Sequence, residues 1–463
     1  MSAPIAPQRV LPTLNADGTR NRIRPRLYAG RYYRYRRMAA IALMAAFVAL
    51  PLLTIGGKPL ILLDVLHREF TLFGRTFLPT DGVLLMLLLL VIFVGIIATT
   101  ALVGRAWCGW ACPQTVYMEF LFRPIERLFE GKREQQLRLD REGGGARRFF
   151  KNVVYLLLAL VLANVFLAYF VGARTLAGWM TQSPLEHFTP FLVVAVTTAL
   201  VFFDFAYFRE QMCTVVCPYA RLQSALLDRS SLLVGYDAKR GEPRVKGRPR
   251  PGFGDCIDCN ACVHSCPTGI DIRQGLQLEC IACTQCADAC DSIMARIGKA
   301  PGLIRYASQE SLERGAAPRT WRPRVVIYLG VFAALLAGLV LVGGERPAAE
   351  VTILRGLGAP FVPAGAEISN QIRIKIRNRE ATDRSYRLEL LGAPGARLIA
   401  PEFPLPIASG AQRSTSVFVV SPAASLASGE QRVRFRVADG QGFSQEVPYK
   451  LLGPVAVRPG GGS

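Results

Sequence analysis

Histidine is scarce in this chain, which has 3 histidines and 12 cysteines in 463 residues. His67 and His187 lie in predicted loops or at the ends of apolar runs, and His264 lies inside a run of cysteines. No two of them are placed to hold a haem across a membrane. No G-x-G-x-x-G segment follows a predicted strand, so no soluble flavin or nicotinamide domain is expected.

Acidic residues are also scarce. Asp and Glu number 34 against 55 Lys and Arg, which gives a formal net charge of +21. Such an excess is common in proteins that bind nucleic acid. Here, however, the arginines flank long apolar runs, and 51% of the residues are hydrophobic. This is the positive-inside pattern of a membrane protein, so we predict that the charge faces membrane lipid and not nucleic acid.

Five apolar runs are each about long enough to cross a hydrocarbon core of roughly 30 Å. They cover residues 38–55, 81–103, 153–171, 188–207 and 325–342. The segments 1–37, 104–151 and 208–324 are rich in Lys and Arg, whereas the 172–187 loop has only Arg174. We therefore predict a bacterial inner-membrane protein with these basic segments in the cytoplasm and residues 345–463 in the periplasm. The tail 1–37 is expected to be disordered.

Cysteine is absent after residue 290, because all 12 lie between Cys108 and Cys290 in segments predicted to face the reducing cytoplasm. This location favours metal ligation over disulfides. Acidic residues are few within the predicted spans. Asp204, near the inner end of the fourth run, is either a quinone or proton site or a helix-end acid that faces water.

Eight cysteines form two C-x2-C-x2-C-x3-C runs, the spacing of bacterial ferredoxins that hold two [4Fe–4S] clusters. Zinc sites more often use paired CxxC knuckles some distance apart. We expect a ferredoxin domain over about 250–300 in which the fourth cysteine of each run starts a short helix and binds the other cluster. The predicted ligand sets are Cys256, Cys259, Cys262 and Cys290 for one cluster, and Cys280, Cys283, Cys286 and Cys266 for the other.

The other four cysteines form two C-x3-C-P motifs, each directly after an apolar run. These are Cys108 and Cys112 before Pro113, and Cys213 and Cys217 before Pro218. Amphipathic helices are predicted to follow, over 116–129 and 220–227. Two thiols at i and i+4 share one face of a helix. They can bind one soft ion such as Cu(I), supply half of an additional iron–sulfur centre, or act as a redox dithiol. Simple packing of small buried residues is the alternative.

Residues 345–463 contain four short stretches of alternating polar and apolar residues, separated by Gly, Pro and Ser. The stretches are 371–378, 386–391, 414–421 and 431–437. Because this part has no Cys, His or Trp, we predict an immunoglobulin-like β-sandwich with a structural or docking role. The fold class predicted for the chain is a membrane α-helical protein with five transmembrane helices, a cytoplasmic two-cluster ferredoxin domain and a C-terminal Ig-like β-sandwich.

Together these features resemble the CcoG family, also called FixG or RdxA, whose members are accessory proteins for assembly of cbb3-type cytochrome c oxidase. Paired CxxxCP motifs with a ferredoxin also occur in the membrane ferredoxins NapH and NosR, and the C-terminal sandwich narrows the resemblance to CcoG. The resemblance implies a cupric reductase that converts Cu(II) to Cu(I) for a copper-exporting P-type ATPase. It makes Cys108, Cys112, Cys213 and Cys217 the candidate copper ligands and catalytic thiols.

Under this hypothesis electrons cross the two clusters and reach copper near the CxxxCP motifs. The basic segment 239–250 docks either a flavodoxin-like acidic electron donor or anionic lipid. Two rival hypotheses are a quinol-linked electron-transfer subunit similar to NapH and a non-catalytic oxidase assembly factor whose clusters sense redox state. The oligomeric state is left open, with a homodimer as one alternative.

Overall fold

The structure is a computed structural model that describes residues 9–454, apart from 16, 18, 56–57, 66–68, 74, 78–81, 144, 316–320, 345–346 and 381. The chain divides into two compact units, residues 1–340 and 341–463. All 12 cysteines belong to the first unit.

Four helices among the described residues are long and apolar enough to cross a membrane: Gly82–Val103, Gly145–Val171, Phe188–Phe208 and Pro323–Gly344. They coincide with four of the five predicted spans. The bounds predicted for the first span, 38–55, are wrong, because its helix is Arg31–Ala49 and a strand, Thr54–Ile55, follows. The arginines in its first half leave about 12 apolar residues, or roughly 18 Å of helix. A fifth crossing therefore stays a prediction.

Short elements connect these helices. Strands in the first unit are Arg9–Leu11, Leu14–Asn15, Thr54–Ile55, Lys58–Pro59, Ile61–Asp64, Glu69–Leu72, Arg75–Phe77, Leu233–Tyr236 and Ile304–Ala307. Helices and helical turns outside the candidate spans and the N-terminal helix are Ala106–Trp110, Pro113–Tyr117, Met118–Phe122, Arg123–Glu130, Arg133–Glu142, Ala173–Trp179, Met212–Val216, Pro218–Leu226, Ala238–Gly241, Ala261–Ser265, Ile272–Gln274, Gln285–Arg296 and Gln309–Arg314. The helices predicted over 116–129 and 220–227 are confirmed within a few residues.

The basic N-terminal segment is ordered over its described residues, which corrects the prediction of a disordered tail. Thr13 Oγ1 lies 3.2 Å from Thr214 Oγ1, beside the second CxxxCP motif. Farther along, the backbone N–H of Arg26 donates to the carbonyl of His264 at 2.8 Å. The segment therefore packs against both cysteine-bearing regions. Composition predicted a solvated chain because it does not reveal acidic partners that lie far away in the sequence.

Those acidic partners form a buried ion network between the two CxxxCP segments. Arg209 donates from Nη1 and Nη2 to the two carboxylate oxygens of Glu126 at 2.8 and 2.7 Å. Arg24 also donates to Glu126, lies 3.4 Å from Glu130, and makes two 3.0 Å bonds to Asp140. Burial alone raises the pKa of Glu126, but Arg209 and Arg24 hold that pKa well below its ordinary range. The network fixes the N-terminal segment and both motif-bearing segments to one another.

The ferredoxin domain is closed by two strands, Leu233–Tyr236 and Ile304–Ala307, which pair antiparallel. They lie outside the predicted limits of 250–300, so the domain is larger than the cysteine runs suggested. Helices Ala261–Ser265 and Gln285–Arg296 pack against each other, and the second also packs against Ile304–Ala307. The apolar side chains buried with the cysteines are Val234, Tyr236, Ile270, Ile272, Met294, Leu303 and Ile304.

The second unit is a sandwich of two antiparallel sheets, as predicted. One sheet has the order Ala349–Arg355, Glu367–Asn378, Gln412–Pro422 and Arg397–Ile399, with Val362–Ala364 also paired to Glu367–Asn378. The other has the order Leu405–Ile407, Arg384–Leu391, Glu430–Ala438 and Ser444–Leu452. A short 3-10 helix, Ala423–Leu426, follows the strand Gln412–Pro422. Every second residue of Glu367–Asn378 is buried, because successive side chains of a strand point to opposite faces.

Candidate iron-sulfur and thiol site

The two cysteine runs have the same unusual backbone. Asp258 and Asn260 in the first loop have φ of 49° and 56°, and Ala282 and Thr284 at the equivalent places in the second have φ of 53° and 58°. Positive φ is uncommon in residues other than glycine. Alternation of left- and right-handed residues turns successive backbone N–H groups into one concavity, a geometry that binds anions and iron–sulfur clusters. The repetition of this geometry at both loops fits two cluster sites.

The helices that follow the two loops differ in length for a reason visible in the sequence. Each begins directly after the left-handed residue and contains the third cysteine. The first helix ends at Ser265, because Cys266 precedes Pro267 and takes an extended conformation. The second run has Asp291 in place of that proline, so its helix continues through Cys290 to Arg296. The prediction that the fourth cysteine starts a helix is therefore wrong.

Two cavities are lined by the eight cysteines. One is lined by Cys256, Cys259, Cys262 and Cys290. The other is lined by Cys266, Cys280, Cys283 and Cys286, and Cys262 lines it as well. This arrangement agrees with the crossed ligand sets, although which thiolates bind which cluster stays a prediction. No group of three or more His, Cys, Asp or Glu in the described part of the chain is arranged around a single metal ion.

The two cavities differ in exposure. Cys259 is exposed to solvent, whereas Cys283 of the other cavity is buried. Beside the first run, the backbone N–H groups of Val245 and Gly247 donate to the carbonyls of Cys256 and Ile257, both at 3.2 Å. The basic segment 239–250 therefore lies alongside the exposed loop.

The CxxxCP motifs repeat in three dimensions but are not continuous helices. In each, the first cysteine lies in a short helical turn and the second precedes the proline that begins the next helix. The N–H of Cys112 donates to Trp107 O at 2.9 Å, and the N–H of Cys217 donates to Met212 O at 2.8 Å. The expected i, i+4 helical face is therefore wrong, because a residue before proline is disfavoured in helical conformation.

The structure brings the four CxxxCP thiols into one neighbourhood. Cys108, Cys112 and Cys217 are all close enough to Cys213 to raise its pKa, although burial is the larger cause. Burial also raises the pKa of Cys108 to about 11. The Cys108 thiol accordingly donates to Oε1 of Gln223 at 3.0 Å. Cys108 and Cys213 are therefore neutral thiols at pH 7, so a cation that binds them must displace protons.

Gly109, inside the first CxxxCP motif, touches the second ferredoxin loop. A Cβ atom at this position would lie 2.7 Å from Ile281 O, 2.8 Å from Ala282 O and 2.8 Å from Cys283 Cα. Cys108, Ile281 and Cys283 form a buried cluster, against which Cys213 packs. The CxxxCP site and the second cluster site are thus separated by one layer of backbone.

Other residues named from the sequence have more ordinary surroundings. Asp204 accepts a hydrogen bond from Nε2 of Gln114 at 3.1 Å, so it faces the first motif's helix. His187 stacks on Trp179 with ring centroids 4.9 Å apart. His67 lies outside the described residues. Sequence reasoning missed Arg36, a buried arginine beside Gly109. Its position two residues before the apolar part of the N-terminal helix looked like a membrane flank.

Three family models match the chain. Residues 208–309 match "4Fe-4S dicluster domain", residues 85–133 match "4Fe-4S binding domain", and residues 339–454 match "IG-like fold at C-terminal of FixG". RdxA of Cereibacter sphaeroides is 36% identical over 382 residues, which cover 78% of this chain and 80% of RdxA. The chain belongs to the FixG/RdxA family. Two further relatives in that family are the nitrogen fixation protein FixG of Rhizobium meliloti, 31% identical over 82% of this chain and 81% of FixG, and RdxB of C. sphaeroides, 34% identical over 71% and 72%.

As a FixG/RdxA-family protein, this chain is a membrane-associated iron–sulfur electron-transfer protein. The matched "4Fe-4S" domains include both ferredoxin runs and both CxxxCP motifs. The four apolar helices agree with a membrane location. The matched C-terminal domain coincides with the sandwich seen in the structure.

A serine variant tests whether the ligand sets of this FixG/RdxA-family protein are crossed. We expect Cys266→Ser to remove the same cluster as Cys283→Ser, although Cys266 belongs to the first run, because its thiol lines the second cavity. Iron content should fall by about half. Electron paramagnetic resonance of the reduced protein identifies the remaining cluster, and Cys256→Ser serves as the control that removes the other one. A Cys266→Ser spectrum equal to that of Cys256→Ser would contradict the crossed assignment.

Proposed function

We propose that this protein is a cupric reductase that supplies Cu(I) for assembly of a cbb3-type cytochrome c oxidase. The observation that carries the proposal is the contact between Gly109 and the Cys283 loop. It supports a thiol site beside the second cluster site, because Cys108 and Cys213 pack in one buried cluster with Cys283. In the family resemblance, the Cu(I) product passes to a copper-exporting P-type ATPase.

The two [4Fe–4S] clusters, when bound, supply one-electron carriers. The exposure of the cysteines suggests which molecule each cluster would exchange electrons with. Cys259 is exposed, so a donor protein can approach the first site closely. Cys283 is buried against Cys108, so the second site communicates with the thiols and not with bulk water.

The thiol neighbourhood suits copper reduction. A reduced cluster held at the second site would supply one electron to each Cu(II), which would become Cu(I), and the donor would supply the replacement electron. Thiolates prefer Cu(I) over harder cations. Because the pKa of Cys108 is raised by burial to about 11, Cu(I) that is held there replaces protons, which leave to solvent.

The donor is proposed to be an acidic, flavodoxin-like protein. Arg244, Lys246, Arg248 and Arg250 are exposed and belong to the segment that lies beside the first cysteine run. Opposite charge steers such a donor toward Cys259. This arrangement requires the ferredoxin domain to be cytoplasmic and the sandwich periplasmic, which is the sidedness that the Lys and Arg pattern favours.

Anaerobic copper reduction by the purified protein tests the proposal. The clusters are reduced with dithionite, excess reductant is removed, Cu(II) is added, and both Cu(I) and cluster reoxidation are followed. We expect about two Cu(I) per chain, one for each cluster electron. With Cys108, Cys112, Cys213 and Cys217 all changed to Ser and iron content unchanged, Cu(I) should form no faster than in buffer. Clusters that stay reduced in the presence of Cu(II) would overturn the proposal and direct attention to quinols.

A second candidate is an additional iron–sulfur centre at the CxxxCP thiols. It is favoured by the "4Fe-4S binding domain" match over 85–133, which includes Cys108 and Cys112. Iron analysis separates the two candidates. Two clusters give about eight iron atoms per chain and three give about twelve. Loss of four iron atoms in the quadruple serine variant would establish the third centre.

A further inference from the structure

Arg36 is a buried cation without an anionic partner. It is 1% exposed, and its Nε donates to the carbonyl of Gly109 at 2.9 Å. Both of its Nη groups lack any hydrogen-bond partner. A buried guanidinium with unsatisfied donors is costly. The chain itself supplies no acceptor for these donors within its described residues, so the site fits a bound anion.

The anchoring of the N-terminal helix explains why Arg36 is buried beside Gly109. The carboxylate of Asp288 accepts from the backbone N–H groups of Tyr32 at 3.0 Å and Tyr33 at 2.7 Å, which anchors the start of the N-terminal helix. Tyr32, Arg36 and Ala40 then form one stripe at four-residue spacing, and Arg36 and Ala40 on it are buried. The anchored helix therefore directs Arg36 inward, toward the cysteine loops.

The second cluster site lies next to Arg36, on the far side of Gly109. Gly109, which accepts from Arg36, packs on Cys283 Cα. The nearby carboxylate Glu119 is already engaged by Arg123. A [4Fe–4S] cluster with its four thiolates is an anion, so it supplies the charge that Arg36 otherwise lacks.

The arginine beside the first cluster site, Arg273, differs from Arg36 because it is paired with carboxylates. Arg273 donates to Asp258 Oδ1 at 2.6 Å, to Asn260 Oδ1 at 2.6 Å, and twice to Asp271 at 2.8 and 2.7 Å. Its charge is therefore offset by two carboxylates. The two sites have similar backbones but different net charges nearby.

We propose that Arg36 is the positioning residue that raises the reduction potential of the second cluster above that of the first. Nearby charge and hydrogen bonds to the sulfurs set such potentials. A cation stabilises the reduced, more negative state, so the electron settles next to Cys108 and Cys283. This inference needs the two-cluster assignment but does not need copper as the substrate.

Redox titration of Arg36→Gln tests the inference. The purified, cluster-loaded protein is titrated anaerobically, with electron paramagnetic resonance to follow each cluster. We expect the potential of the second cluster to fall by about 59 mV or more, which is a tenfold or greater change in the equilibrium for one electron. The potential of the first cluster should stay unchanged. In Arg36→Lys, which keeps the charge, the potential of the second cluster should fall by less.

Arg37→Gln is the matched control, because Arg37 is the next residue on the same helix and is exposed. It should leave both potentials unchanged. If Arg36→Gln fails to hold iron, Arg36→Met removes the same charge while filling the space and is titrated in its place. Equal shifts of both clusters, or no shift of either, would overturn the inference whatever the outcome with Cu(II).

Discussion

Gly109→Ala is expected to separate the CxxxCP site from the second cluster site. The added methyl group would approach three backbone atoms of residues 281–283 to 2.8 Å or less, and backbone cannot swing aside as a flexible side chain can. The loop that carries Cys280 and Cys283 must therefore move. We expect loss of the second cluster, a fall of about half in iron content, and Cu(II) reduction at the rate of buffer alone.

Gly330→Ala is the control for this substitution. Gly330 also lies within a helix, Pro323–Gly344, but a Cβ there would have no neighbour within 4 Å. It should retain all iron and full activity. A Gly109→Ala protein with the second cluster intact and unchanged Cu(II) reduction would show that the contact is not needed for electron transfer.

Glu126→Gln is expected to destabilise the first unit by about 3–5 kcal/mol, because it leaves two buried cations without their shared carboxylate. Glu126, Arg24 and Arg209 are between 3% and 6% exposed. Arg209 also has a positive φ of 57°, and its paired side chain holds the turn that leads to Cys213. Thermal unfolding in detergent, with iron release as a second signal, measures the effect.

A double-mutant cycle sharpens this test. Arg209→Gln alone should lower the stability of the first unit by a similar amount. The double variant Glu126→Gln with Arg209→Gln should lose less stability than the two single variants lose together. Glu142→Gln is the exposed control, since it removes a 2.9 Å ion pair with Arg138 whose side chains are 76% and 57% exposed. Exposed pairs contribute little, so its midpoint should not move. Additive effects across the cycle would contradict a direct Glu126–Arg209 interaction.

Local spacing predicted the ferredoxin domain, and the family match over residues 208–309 confirms that domain. The cysteine intervals specify how thiols surround a cluster, so the ferredoxin domain followed from the sequence, and the sandwich strands followed from their alternation. The unequal lengths of the two cysteine-bearing helices were not predicted, although Pro267 stops one and Asp291 lets the other continue. The helical interpretation of CxxxCP failed because it ignored the effect of each proline on the cysteine before it.

Long-range pairing could not be predicted in the same way. Arg24 and Arg36 looked like members of a solvated or membrane-flanking basic tail, because their partners lie more than seventy positions away in the chain. The first span was misplaced for a related reason. Apolar content was counted over residues 38–55, whereas the helix starts at Arg31, where Asp288 caps it from another domain.

The cap on Tyr32 has a consequence for how the protein is made. Asp288 lies 256 positions after Tyr32. At roughly 5–20 residues per second, a ribosome reaches Asp288 about 10–50 s after it has added Tyr32. Throughout that interval the backbone N–H groups at the start of the N-terminal helix lack this cap, and residues 82–208 are synthesised in the meantime. The start of the N-terminal helix is thus capped only after the ferredoxin helix Gln285–Arg296 has been synthesised.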